Sequence, residues 1–134
     1  MDMPQEKTVR IEAVAGYRAL WMIWSHQVNR PDVNPAFRQL VNLLNEAHGP
    51  LRVIVDLRQN PQFPLNETLT GALSGPFRHP HLAEWLMIGS SPMAQAIGRA
   101  LSAVTMRRNL LWFESEAEVF AYLEAQGARH SEMA

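Results

Sequence analysis

At 134 residues the chain fits one domain, long enough to bury a core without disulfide or metal staples. Twelve Lys and Arg stand against thirteen Asp and Glu, a balance that does not favour nucleic acid or another polyanion as partner, since such partners usually need a basic face. Cysteine is absent, which excludes disulfides, thiol redox chemistry and Cys-based metal sites.

The opening stretch MDMPQEKTVR lacks the apolar segment of a secretory signal. The longest apolar run, Ala19 to Trp24, is far too short to span a bilayer, so a cytoplasmic location is expected. Residues 1–134 read as a single domain with an ordered core over about 8–127.

Thr8 to Val14 alternates, with Val9, Ile11 and Ala13 on one face and Arg10 and Glu12 on the other, which predicts a half-exposed strand. Gly16 turns the chain into Ala19–Ser25, apolar enough for a central strand, so an antiparallel hairpin opens the fold. Asn34 and Pro35 read as the N-cap and first residue of a helix carrying Phe37, Leu40, Val41 and Leu44. His48-Gly49-Pro50 ends it.

Leu51 to Leu57 is a buried strand. A two-proline loop from Arg58 leads to a helix marked by Leu65, Leu69 and Leu73, which Gly71 and Gly75 weaken. After a loop over Pro76–His81 come a core strand at Trp85–Gly89 and a Ser91-Pro92 helix start. Met93, Ile97, Leu101 and Val104 line that helix. Asn109–Phe113 is a further core strand. Ser115 and Glu118 then form a capping box for a last helix, with Val119, Phe120 and Leu123 inward and Gly127 at its end. The order β-β-α-β-α-β-α-β-α implies an α/β fold with a mixed, mostly parallel sheet, because parallel strands need crossover helices.

The segments YRALWMIWSHQVN, VIVDL, Gly89-Ser90-Ser91-Pro92 and LLWFESEAEVFAYL, in that order, resemble the SpoIIAA-like (STAS-like) family over roughly Thr8 to Gln126. The resemblance implies a binding or protein-interaction domain, regulatory in some relatives and a carrier of small apolar ligands in others. Anti-sigma-factor antagonists of this fold carry a phosphorylatable Ser after an Asp, at the start of the helix that follows the VIVDL-type strand. The matching stretch here, Pro64 to Gly71, has no Asp-Ser pair; Thr68 and Thr70 are its only hydroxyls.

Candidate chemistry is sparse. Asp56 ends a core strand as a receiver domain's phosphate acceptor does, but such a site also needs an acidic cluster and a later lysine. The one lysine is Lys7, so a loop-capping Asp is expected. Gly89-Ser90-Ser91 superficially resembles a nucleophile elbow without its second glycine, and Ser91 reads better as a helix cap. That turn could still hold an anion through free N–H groups. His79 and His81, with Glu84 nearby, fall short of a convincing zinc ligand set. Ser25, His26, Asn29 and Asp32 spell a triad within one segment, where convergence in space is improbable.

Trp21 and Trp24 should face opposite sides of the sheet, and Trp85 and Trp112 should occupy neighbouring strands. Together with Met22, Met87, Met93 and Met106 they suggest a large aromatic core, or an apolar pocket or dimer surface. The expectation is a non-enzymatic homodimer without cofactor or metal, with a regulatory protein or small apolar ligand as its partner. Arg58, Thr68, Thr70, Ser90, Ser91 and Trp24 are its candidate contact residues.

Overall fold

The alternation of Thr8–Val14 becomes strand β1 (Val9–Ala13), and the apolar run beside it becomes β2 (Ala19–Trp24). In the computed structural model, which describes residues 7–62, 64–89, 91–105 and 109–127 without the side chains of 65, 93, 104 and 105, these two pair antiparallel. Helix α1 (Arg30–Glu46), β3 (Leu51–Asp56), α2 (Leu65–Ser74), a 3-10 turn (Pro76–Arg78), β4 (Leu82–Ile88), α3 (Pro92–Thr105), β5 (Leu110–Phe113) and α4 (Glu116–Ala125) follow. The strands lie in the order β1-β2-β3-β4-β5, with every pairing after the hairpin parallel. The order of elements and the mixed sheet are those the sequence predicts.

Side chains alternate across each strand, so the sheet has two different faces. Leu20, Met22, Trp24, Val53, Val55, Trp85 and Met87 meet α1, α2 and α3 in the larger core. Ala19, Ile54, Leu86 and Ile88 meet Val119 and Leu123 of α4 in a smaller one. Trp21 faces α4 and Trp24 faces the three-helix side, as their spacing requires. Polar contacts pin α4 to the rest of the fold. Tyr17 donates its hydroxyl hydrogen to Glu124 (2.6 Å), Tyr122 donates to Glu84, and Arg58 reaches Glu116. Burial, then the bond to Glu84, pushes the Tyr122 hydroxyl up to about 12, so it stays a donor at any ordinary pH.

Helix α1 begins earlier than its sequence suggests. Asn34 and Pro35 are not its cap: Asn29 is the N-cap, Pro31 sits in the first turn and Pro35 lies inside the helix. The reason is tertiary. Thr8 donates from its backbone N–H and its hydroxyl to Asp32 (2.8 and 2.7 Å), and its Oγ1 accepts the Asn29 N–H (2.9 Å). These bonds tie the first turn to the residue that leads into β1, which offsets the backbone bond that an internal proline removes.

Two strand boundaries also differ from expectation. Strand β4 begins at Leu82, three residues before Trp85, because Leu82 pairs with Leu51 of β3 across a register shift that leaves Ala83 of β4 unmatched. The Asn109–Phe113 segment yields an edge strand and not a core one: β5 is bordered by β4 alone, and Trp112 is 39% exposed. Met106 lies outside the described residues.

Gly71, which weakens α2 on propensity, has a packing reason. A Cβ there would fall 2.6 Å from Cδ2 of Phe37, a ring buried between α1 and the sheet. Gly71→Ala should therefore destabilise the fold by about 1–2 kcal/mol, the overpacking cost exceeding the helix-propensity gain. Urea unfolding with an unchanged slope and a lowered midpoint is the expected result.

Candidate functional site at the carboxyl ends of the strands

Ligands in open α/β folds gather where parallel strands end, so that rim is the place to test each candidate. Asp56 closes β3 there and is only 6% exposed. Its Oδ1 accepts the Arg58 backbone N–H (3.1 Å) and Nε–H (3.0 Å). Its Oδ2 accepts from Arg58 Nη2 (2.7 Å) and from Trp21 Nε1 (3.2 Å). Burial opposes the charge and is the largest single effect, but the Arg58 bonds and charge, with Trp21, outweigh it and hold the carboxyl below its ordinary range. Asp56 is thus the loop-capping residue expected. Arg58, a candidate contact residue, spends its guanidinium on Asp56 and on Glu116 of α4 (3.4 Å).

The neighbouring groups are also engaged. His26 Nδ1 lies 3.0 Å from the Gln59 carbonyl and 3.1 Å from that of Asn60, so it carries the hydrogen and donates. That bond steadies Asn60, which adopts a left-handed φ of 53°. Asp32 points to Thr8, not to His26, so the letters of a triad do not form one. Ser91 accepts the Ala94 N–H (3.1 Å) and caps α3 as predicted. Ser90 lies outside the described residues. Gly89 has φ of +107°, and a Cβ on it would meet the Leu57 carbonyl oxygen at 2.9 Å. This glycine lets the two strand ends close together, a packing role unlike that of a nucleophile elbow.

The histidine pair sits at the opposite end of the sheet. His79 Nδ1 accepts the His81 N–H (3.0 Å), so its Nε2 carries the hydrogen toward Asn45 Oδ1 (2.6 Å). His81 Nδ1 donates to the Leu44 carbonyl (2.7 Å). Both rings therefore staple the loop before β4 to the end of α1.

Thr68 and Trp24 come together although they are far apart in sequence. Both line a void of about 20 Å³ between the sheet and α1–α3, otherwise walled by Phe37, Val55, Trp85, Met87 and their neighbours. Thr68 is 4% exposed and its Oγ1 has no hydrogen-bond partner among the described residues. The void is water-sized, whereas drug-sized ligands occupy about 300–1,000 Å³, so the core as packed has no room for a lipid-like molecule. Thr70 faces solvent on the same helix.

The feature that sequence reasoning missed is the cleft beside β5. It measures about 640 Å³ and is lined by Gly89, Gln95, Arg99, Trp112, Glu114 and Glu118. Trp112 lies across Gly98 of α3, where a Cβ would fall 2.6 Å from its Cζ2. A signal was available: with each crossover stepping the same way, the last strand is a sheet edge, and one face of an edge is hard to bury.

No family model and no curated protein matches the chain. Among solved structures it is similar to an uncharacterised protein of the DUF3478 family with a SpoIIAA-like fold, from Shewanella loihica PV-4. The two superimpose with a TM-score of 0.59 at 15% identity, over 92% of this chain and 98% of that one. The fold is SpoIIAA-like. The resemblance read from the order of segments and the observed topology thus agree. Among the described residues, no helix of this SpoIIAA-like domain is long and apolar enough to cross a membrane.

Two outcomes follow from this geometry. Thr68→Val keeps the side-chain shape and removes a buried, unpartnered hydroxyl, so chemical denaturation should show it more stable by about 1 kcal/mol. A loss of stability would mean that something hydrogen-bonds to Oγ1 in solution. Because the folded Asp56 carboxyl titrates below its unfolded value of 3.8, its contribution is complete above that value and fades as pH falls through the folded one. Asp56→Asn should cost about 2 kcal/mol at pH 7, less than a fully buried pair because Arg58 is 41% exposed, and should flatten the acid limb of stability against pH.

Proposed function

We propose that this chain is a non-enzymatic binding domain that acts through protein contact, as a homodimer, in a regulatory setting. One observation carries the reading. The groups at the carboxyl ends of the strands with the chemistry of a nucleophile, acid or base are engaged internally: Asp56 with Arg58 and Trp21, His26 with two loop carbonyls, Ser91 with an α3 N–H. A catalytic nucleophile needs a base within hydrogen-bond reach that a third group orients, and each of these groups already points elsewhere. What the rim leaves open to solvent is an aromatic side chain and a mixed-charge cleft, features suited to contact with another macromolecule. Incubation with a fluorophosphonate probe and a panel of short-chain esters should give neither adduct nor turnover. A stoichiometric adduct on Ser90 or Ser91 would overturn the reading.

A second reading, a phospho-switch on α2, is narrowed by burial. Thr68 is enclosed with its hydroxyl in the core, while Thr70 is exposed, so a kinase could reach only Thr70 without opening the fold. Mass spectrometry of the protein from its own cells should then find phosphate at Thr70 and not at Thr68. Absence of phosphate at both under all growth conditions removes this reading.

A further inference from the structure

The sheet has two edges, and they are built differently. At one, β1 carries Arg10 and Glu12, an exposed ion pair at 3.6 Å. Charges on an edge strand discourage pairing with another chain. At the other, β5 reads Leu110-Leu111-Trp112-Phe113, with no charge, proline or glycine, and presents the one large hydrophobic residue that is exposed among those described.

The hydrogen-bond pattern says which groups of β5 are open. Asn109 and Phe113 direct their carbonyls to Trp85 (2.8 Å) and Gly89 (3.4 Å) of the β4 side. Backbone groups alternate in direction along a strand, so Leu111 also faces β4. The N–H and C=O of Leu110 and Trp112 therefore point outward. The next outward N–H, that of Glu114, is already taken by Glu118 Oε2 (2.9 Å), which ends the open edge.

We propose that the homodimer inferred above forms by antiparallel pairing of β5 with β5 of a second copy, about a two-fold axis through Leu111. That register is self-complementary. Leu110 and Trp112 of one copy exchange backbone hydrogen bonds with Trp112 and Leu110 of the other, four bonds in all, and join two five-stranded sheets into one. The same pairing sets each Trp112 ring, which lies on the three-helix side, directly opposite a Leu110 side chain of the other copy. The two Leu111 residues meet on the axis on the α4 side. A two-fold contact brings the same patch together twice, so it must tolerate its own charges. The adjoining cleft holds Arg99 together with Glu114 and Glu118, both signs in one patch, which gives each copy's arginine an opposite charge to approach. No other sheet edge among the described residues offers an uncharged strand.

The test rests on the dimer reading but separates the two. Sedimentation of the unaltered chain should show a dimer. Trp112→Pro, which removes an outward N–H without touching the β4 ladder, and Trp112→Lys should each raise the dimer dissociation constant at least about 30-fold, as for a central interface tryptophan. Should either variant lose its circular-dichroism spectrum, Leu111→Cys keeps Trp112 and decides the matter. Facing residues at a non-hydrogen-bonded antiparallel pair have Cα atoms about 4.5 Å apart, within disulfide range. The chain has no other cysteine, so mild oxidation should give a covalent dimer in near-quantitative yield. A dimer that both Trp112 variants retain and that Leu111→Cys fails to cross-link overturns this interface and leaves the dimer standing. A monomer at 100-micromolar-order concentration overturns both.

Discussion

A carboxylate almost wholly withdrawn from water has to be neutralised where it sits or lose its charge. Asp56 occupies that position at the end of the central strand, and its solution organises the rim of the sheet. Trp21 reaches it from β2, Arg58 folds back onto it from the following turn, and Arg58 in turn touches the first turn of α4. One buried charge thereby links two strands, the turn between β3 and α2, and the helix α4 that covers the second face. The same bonds remove Asp56 from chemistry. A phosphate-accepting Asp must present a free oxygen, and both oxygens here are already accepting.

The elements most legible in the sequence are those governed by local rules. Strand alternation, the Ser91 cap and the Ser115–Glu118 box depend on residues a few positions apart. Each is present: Ser115 Oγ accepts the Glu118 N–H at 3.2 Å and Ser91 Oγ accepts that of Ala94. The start of α1 was not legible, because it is set by Thr8, a residue more than twenty positions upstream. Local preference favours Asn34-Pro35, and a tertiary tie to Thr8 overrides it. Glycine 71 shows the same asymmetry. Its cost to a helix can be read from composition, whereas the Phe37 ring that requires it belongs to another element.

The candidate contact residues divide along the same line. Thr68 and Thr70 are indistinguishable by type, yet α2 turns one hydroxyl into the core and the other toward solvent. Arg58 has the chemistry of an anion ligand, but its intramolecular partner, two positions away, claims it first. Trp24 and Thr68 do share a pocket, and its volume is that of a water and not of a lipid. Residue type proposes a role; burial and prior engagement decide whether the side chain is free to take it.

Trp112 is the opposite case, a residue that type assigned to the core and topology released. In a sheet whose crossovers all step one way, the last strand has a neighbour on one side only, and the closing helix can cover a face or an edge but not both. Here α4 covers the face, held by Tyr17, Tyr122 and Arg58. An edge left in this way can be guarded by charge, masked by another segment or paired. Charge guards β1, and the four residues of β5 carry none. Among the described residues no strand pairs with the outer side of β5. With its outward backbone groups confined to Leu110 and Trp112, the strand is left in the state that pairing satisfies most economically, a short run of four bonds symmetric about Leu111.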